Sequence, residues 1–265
     1  MLIDSHTHLE SFARRGDLAS VLARARAAGV SQLVTVGTSL DDWDLYAGLE
    51  AAAPDGFVRH TAGLHPCSVD EHWPDQVGRL EERWRSGPVP VALGECGLDR
   101  FHLPREPEEA ARVFALQEAA FAAQLGIARR LGCAVVVHSR GAFRECVAQV
   151  DASGVDWARV VFHCFTEGAA EMAELTRRGG RGSFTGILTY KSATEVRAAA
   201  QAQGLARLML ETDAPYLTPV PLRGQPNEPA FLRHTAAFAA AEVFGVSLDE
   251  LAAVTSANVR RWLGL

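Results

Sequence analysis

Apolar positions along this chain follow two alternating periods. Eight short runs rich in Val, Leu and Ile read as strands: 2–4, 32–36, 58–64, 91–95, 134–138, 160–164, 182–185 and 208–212. Between them lie Ala-, Leu- and Arg-rich segments of helical period, near 17–28, 41–53, 74–85, 106–131, 142–150, 167–178 and 193–203. Two more follow near 229–244 and 247–263. In the longest, Val113, Leu116, Ala120, Phe121, Leu125, Ala128 and Leu131 recur at threes and fours, and Gly132 supplies a C-terminal stop. Ser247 with Glu250 makes a capping-box pattern at the start of the last one. Strand–helix alternation repeated eight times predicts one α/β domain over residues 1–265, a parallel (β/α)8 TIM barrel. A doubly wound open sheet is the alternative. Two proline-bearing loops, 99–107 and 214–229, stand out from the short connections elsewhere.

The polar residues acquire meaning against that frame. Strand one runs into Asp4-Ser-His6-Thr-His8, strand three into His65-Pro66, and strand four into Glu95-Cys-Gly-Leu-Asp99. Strand five runs into His138-Ser-Arg140, strand six into His163-Cys164, and strand eight into Glu211-Thr-Asp213. Each metal-competent side chain lies at the carboxyl end of an apolar run, and a barrel gathers all those ends on one rim, where active sites are built. His6 and His8, two apart on an extended segment, point to the same side. Imidazole and carboxylate together suit divalent ions such as Zn or Mn. A single histidine is more often a core or surface residue, and a carboxylate after a strand is often a helix cap. Six ligand-type residues at five strand ends are what overturn that plain reading. Four histidines and two carboxylates suffice for two ions, with Glu95 between them. Two such ions about 3.5–4 Å apart can share a hydroxide and stabilise both the attacking and the leaving oxygen. Asp4, two before His6, is expected to support the site without binding an ion, and Glu10 to face solvent or substrate. His60, His72, His102 and His234 lack this placement; the first two and His234 are expected to be structural or solvent-facing, and reaching the rim from the 99–107 loop is only the alternative reading of His102.

Composition narrows the setting. Hydrophobic residues make up 48% of 265, enough for a sizeable core, and no run of about 18 apolar residues reads as a membrane span. The N-terminal Met-Leu-Ile-Asp lacks the basic and apolar regions of a secretory signal. The five cysteines form no CxxC pair, which argues against a disulfide framework or thiolate zinc site and suits a reducing cytoplasm. A net charge of −6 disfavours an extensive nucleic-acid-binding surface. Among 26 basic residues Lys191 is the single lysine, so it reads either as a phosphate contact beside Tyr190 or as a solvated surface residue.

The stretches IDSHTHLE, AGLHP, GECGLD, VVVHSR, FHCFTEG, TGILTYKSA, LETDAPYLTP and RGQPNEP together resemble the TatD-related metal-dependent deoxyribonucleases of the amidohydrolase-like barrels. They extend from residue 3 to 229, and TSANVRRWL at 255–263 fits the family's tail. HxH alone is shared with many metal hydrolases; LETDAPYLTP followed by RGxxNEP is far more specific. The resemblance implies that His6, His8 and Asp213 hold one divalent ion, that His138 and His163 hold a second, and that Glu95 bridges them. The ions would be Mg, Mn or Zn. Asp213 would also orient or deprotonate the attacking water, His65 would face the scissile phosphate, and Arg223, Asn227 and Glu228 would shape a loop over the pocket. Arg140, Arg223 and Lys191 are the cations placed to hold backbone phosphates. The chain departs from the usual pattern at Arg100, often an aromatic residue, and at Gly141, often Asp; Arg100 is a further candidate phosphate contact.

The leading expectation is therefore a phosphodiesterase that trims single-stranded DNA from its 3′ end, with no membrane and no obligate protein partner. The same site would serve an amide, lactone or ester hydrolase, including one acting on tRNA-linked esters. A barrel used only for binding is disfavoured because every expected ligand is present.

Overall fold

The computed structural model describes residues 1–53 and 55–265. Eight strands occur in chain order: β1 (Leu2–Thr7), β2 (Val30–Thr35), β3 (Val58–His60), β4 (Ala92–Asp99), β5 (Ala134–Arg140), β6 (Val160–Phe162), β7 (Arg181–Phe184) and β8 (Met209–Leu210). All pair in parallel, as β1-β2-β3 and as β4-β5-β6-β7-β8. The two ladders meet at sparse seams. At one, Ala62 bridges Leu93, and the Gly94 N–H donates to the Ala62 carbonyl at 2.9 Å. At the other, the Asp213 N–H donates to His6 O at 3.0 Å and the His8 N–H to Ala214 O at 2.9 Å. The order is that of the expected (β/α)8 barrel, with a single bridge at one seam and a pair of backbone hydrogen bonds at the other.

Alternation within the strands sorts side chains into two clusters. Ile3, Val34, Ala92, Val136, Val161 and Met209 share one with Val259 and Trp262 of α11 (Leu248–Leu263), which plugs the N-terminal end of the strands. The Trp262 indole donates to Arg159 O at 2.8 Å and fixes that plug. Their neighbours Leu2, Leu33, Leu93, Val135, Val137 and Phe162 face the other way, into the larger cluster formed with the helices. Strands buried on both faces explain why the runs read as continuously apolar.

The helices begin and end where local chemistry dictates. The longest, α6 (Pro107–Leu131), starts with Pro107, Glu108 and Glu109 and ends with Arg129, Arg130 and left-handed Gly132 (φ 61°), so charges oppose the helix dipole at both ends. Several expectations shift. A short α1 (Glu10–Arg15), stopped by Gly16, follows β1 directly. The segment expected over 74–85 divides into α4 (Trp73–Gly78) and α5 (Leu80–Arg83). The one expected over 229–244 is a 3-10 turn (Pro229–Phe231), α10 (Leu232–Phe238) and a π-helical stretch (Ala239–Phe244). β3 ends at His60 instead of 64. Beyond it Gly63 lies so close to Gly94 that a Cβ at Gly63 would fall 2.4 Å from the Gly94 Cα. The regular ladder gives way there to a close backbone contact, which turns the following segment towards the rim. Among the described residues no helix is long and apolar enough to cross a membrane.

Candidate metal centre

At the carboxyl ends of the strands, β1, β4, β5 and the segments after β6 and β8 bring His6, His8, Glu95, His138, His163 and Asp213 together. The buried carboxylate of Glu95 (2% exposed) is the middle of the group. Its Oε2 faces His6 Nε2 at 3.3 Å and His8 Nε2 at 3.9 Å. Its Oε1 faces His163 Nε2 at 2.7 Å, His138 Nδ1 at 2.8 Å and His65 Nε2 at 3.3 Å. Asp213 Oδ1 closes the first side, 3.4 Å from His8 Nε2 and 3.7 Å from His6 Nε2. Each oxygen of one carboxylate thus serves a different set of histidines.

Local backbone geometry makes this convergence possible. At Gly97, two residues after Glu95, a Cβ would lie 2.0 Å from His138 O, so only glycine lets β4 pass this close to β5. Asp213 has φ 53°, a left-handed conformation that aspartate tolerates better than most residues.

Further carboxylates fix the rings from behind. His138 Nε2 faces Asp99 Oδ2 at 3.0 Å, which leaves Nδ1 aimed at Glu95. Asp99 is fully buried and also accepts from the His102 N–H at 2.9 Å and from His102 Nδ1 at 2.8 Å. His163 Nδ1 faces Glu211 Oε1 at 3.5 Å, leaving its Nε2 for the centre. Glu211 is held in turn by the Cys164 N–H at 2.6 Å and by the Ser183 hydroxyl. A carboxylate behind a ring nitrogen sets the tautomer and raises the basicity of the nitrogen in front, as at histidine–metal sites. Asp4 acts differently. It accepts from the Thr212 N–H at 2.9 Å and the Thr212 hydroxyl at 2.6 Å, tying β1 to the end of β8. That is the supporting place expected for it.

Electrostatics follow from this crowding. Burial works against the charge on Glu95, yet His163, His65 and His6 hold its carboxyl well below the usual range. Burial lowers His8, but the hydrogen bond and charge of Asp213 lift it to about 9. His138 and His163 are likewise raised against burial, by hydrogen bonds to Asp99 and Glu95 and by the charges of Glu95 and Glu211. Burial, helped by neighbouring histidines, lowers His6 and His65, and burial pushes Asp4 up to about 8. Histidine nitrogens also confront each other: His6 and His8 Nε2 are 3.2 Å apart, and His138 Nδ1 and His163 Nε2 are 3.3 Å apart. Lone-pair nitrogens and carboxylate oxygens aimed at common points are a donor set for divalent cations. The residues fit two, one towards His6, His8 and Asp213, the other towards His138 and His163.

His65 differs from the others. Its Nδ1 accepts from the Cys67 N–H at 3.1 Å, so a neutral ring carries its proton on Nε2, towards Glu95 and the cavity. The cavity, about 640 Å³, is lined by His8, His65, Glu95, His138, His163 and Asp213, and also by Glu10, Asp99, His102, Arg140 and Tyr216. Glu10, left between solvent and substrate by the sequence, therefore lies at the cavity wall, and its carboxylate accepts from the Tyr46 hydroxyl at 2.5 Å. His102 reaches the rim through Asp99.

Other expected residues lie elsewhere. Glu228 does not reach the cavity: its carboxylate is bound by Arg24 of α2 (Leu18–Ala27) at 2.6–3.0 Å. Asn227 is buried, and its amide donates to Thr212 O at 2.9 Å and Tyr216 O at 2.5 Å, so it braces the loop that carries Asp213. Arg223 lies over the Tyr190 ring at 4.0 Å, and Lys191 is exposed; neither lines the cavity. Arg100 is held by Glu145 at 2.7 Å and by the face of Phe114 at 3.8 Å, which removes it as a phosphate contact. Of the expected cations, Arg140 alone lines the cavity. Asp99 and Glu211 were not among the expected site residues, although both stand in the motifs at strand ends.

The family model of TatD-related DNases matches residues 3–264. The metal-dependent hydrolase YcfH of Escherichia coli (strain K12) is 36% identical over 263 residues, 98% of this chain and 94% of its own. A 3′-5′ ssDNA/RNA exonuclease TatD of Erwinia amylovora is 33% identical over 269 residues, covering both chains completely. The crystal structure of YJJV, a TatD homolog from Escherichia coli K12, superposes with a TM-score of 0.89 at 26% identity, over 100% of this chain and 98% of that one.

Proposed function

The chain belongs to the TatD-related DNase family, and on that premise we propose that it is a metal-dependent nuclease removing nucleotides from the 3′ ends of single-stranded nucleic acid, DNA foremost. The observation that supports this most is the divided Glu95 carboxylate, with His6 and His8 on one oxygen and His138 and His163 on the other. Two divalent ions in such a cage supply an activated water and charge stabilisation at the phosphorus.

The chain's own groups supply the rest. Asp213 faces the cavity, and His8, His6 and His163 hold it below the ordinary aspartate range despite burial, so it is ionised at neutral pH. It is placed to take the proton of the attacking water. His65, neutral and with its proton on Nε2, is placed to donate a hydrogen bond to a phosphoryl oxygen. Arg140 presents a planar fork on the wall for a backbone phosphate. Asn227 is a positioning residue, since its two hydrogen bonds fix the turn after Asp213.

The test uses purified protein with 3′- and 5′-labelled single-stranded DNA and RNA, with and without chelator. Stepwise shortening from the 3′ end that stops with chelator supports the reading. No cleavage under any of Mg, Mn or Zn, with turnover of an aryl ester or lactone instead, would overturn it.

A further inference from the structure

Among the described residues, six large apolar side chains are exposed: Met1, Val89, Phe101, Tyr216, Val220 and Leu265. Two are aromatic: Tyr216 lines the cavity, and Phe101 packs outside it against two residues that do, His102 and Arg140. Tyr216 is 61% exposed, lines the cavity and turns an edge towards His8, with ring centroids 6.4 Å apart and planes at 67°. Phe101 is 68% exposed and meets His102, itself a wall residue, edge-on at 5.0 Å. The Arg140 guanidinium lies 4.3 Å over the Phe101 ring. Nothing in the fold is gained by showing these rings to water.

Resting on the nuclease reading above, we propose that Phe101 and Tyr216 are stacking platforms for nucleobases of the strand end, one on each flank of the metal cluster. Tyr216 stands by the His8–Asp213 side. Phe101 stands by the His138 side, reached through His102 and Arg140. Every base offers a π-face, so stacking holds a strand without choosing its sequence. Arg140 lies on one face of the Phe101 ring, so a base takes the other, and the guanidinium stands beside it as a cation for a backbone phosphate.

The backbone under both rings is fixed, as a platform requires. The Tyr216 N–H donates to Asp213 O at 2.9 Å, and its carbonyl accepts from buried Asn227. Phe101 lies between buried Asp99 and His102, whose N–H and ring both bind that carboxylate. The rings are flanked by polar cavity residues, Arg140, His102 and Glu10, and not by a continuous apolar patch. That favours a strand of alternating bases and phosphates over a protein partner, which would need the patch. It also suits the net charge of −6, which disfavours an extensive basic face, because stacking needs none.

The experiment measures binding without catalysis. A 5′-fluorescein single-stranded oligonucleotide is titrated with chelator-treated protein and followed by anisotropy. A second oligonucleotide has abasic sites in its last two 3′ positions. Phe101→Ala and Tyr216→Ala are each expected to weaken binding of the normal strand about tenfold, while Phe101→Trp and Tyr216→Trp retain it. The wild type is expected to lose a similar factor on the abasic strand, and the alanine variants to lose nothing more there. Unchanged binding, or equal losses by the alanine variants on both strands, would overturn the platforms. The nuclease reading is read separately, from hydrolysis by the metal-loaded wild type: cleavage with Michaelis constants unmoved in both alanine variants sinks the platforms alone.

Discussion

The two flanks of Glu95 are built by different means. On the first, His6 and His8 come from one segment, and Asp213 joins them across a seam of two backbone hydrogen bonds. The support there is Asp4, which binds Thr212 and the His6 N–H, not a ring. On the second, His138 and His163 come from adjacent strands, and each ring has a carboxylate behind it, Asp99 or Glu211. The first flank relies on backbone register to aim its nitrogens, the second on charge. Register tolerates small side-chain changes but not a lost seam. Charge support can be removed one atom at a time.

Breaking both flanks at once gives the largest effect. Glu95→Ala is expected to lose both ions and to cut turnover about a thousandfold or more. Elemental analysis beside kinetics checks it. Next comes Asp213→Asn, which leaves the backbone seam intact but removes the anion. It should lose the ion of the first flank, cut turnover about a hundredfold or more, and leave the second ion bound. Loss of both ions together would show that the flanks are not separable.

Asp99→Asn addresses the second flank alone. An amide cannot accept the His138 proton as a carboxylate does, so affinity for that ion should fall about 10- to 100-fold with the first ion unaffected. Titration with a chromophoric chelator as competitor resolves the two ions. Acid sharpens the contrast further. Without metal, His8 titrates near 9, and His138 and His163 lie above the ordinary histidine value. Protons therefore hold His8 at neutral pH, compete for His138 and His163, and must leave as ions bind. Apparent metal affinity should rise with pH and be lost as pH falls, by about tenfold per unit for each proton displaced. Calorimetry in buffers of different ionisation enthalpy counts those protons.

The sequence made much of this legible, for a reason that also sets its limit. A histidine or carboxylate after an apolar run is visible by position alone, and the barrel order brings such positions together without further information. His6 and His8 needed only their spacing. Asp99 and Glu211 were harder, because each shares a motif with a more conspicuous carboxylate, Glu95 four residues before or Asp213 two after, and its role depends on which ring it faces. Glu228 misled because its partner, Arg24, is 204 residues away and lies outside any motif. Arg100 was absorbed by Glu145 and Phe114, which stand on two different helices, a pairing that only packing reveals. The shortened β3 follows from the contact between Gly63 and Gly94, which no periodicity encodes.

The smallest expected effect tests the relocation of Glu228. Its pair with Arg24 is half in solvent, so Arg24→Ala should cost no more than about 1 kcal/mol. Thermal melting checks that figure, and Glu228→Gln should leave the Michaelis constant for an oligonucleotide unmoved. A raised Michaelis constant would return Glu228 to the substrate.

The central claim is that one carboxylate divides a single cage into two ion sites, and metal stoichiometry tests it most directly. Chelator-stripped wild-type protein titrated with Zn or Mn should take up two ions per chain. Asp213→Asn should take up one, and Glu95→Ala none with comparable affinity. One ion per chain in the wild type, or two in Glu95→Ala, would contradict the account.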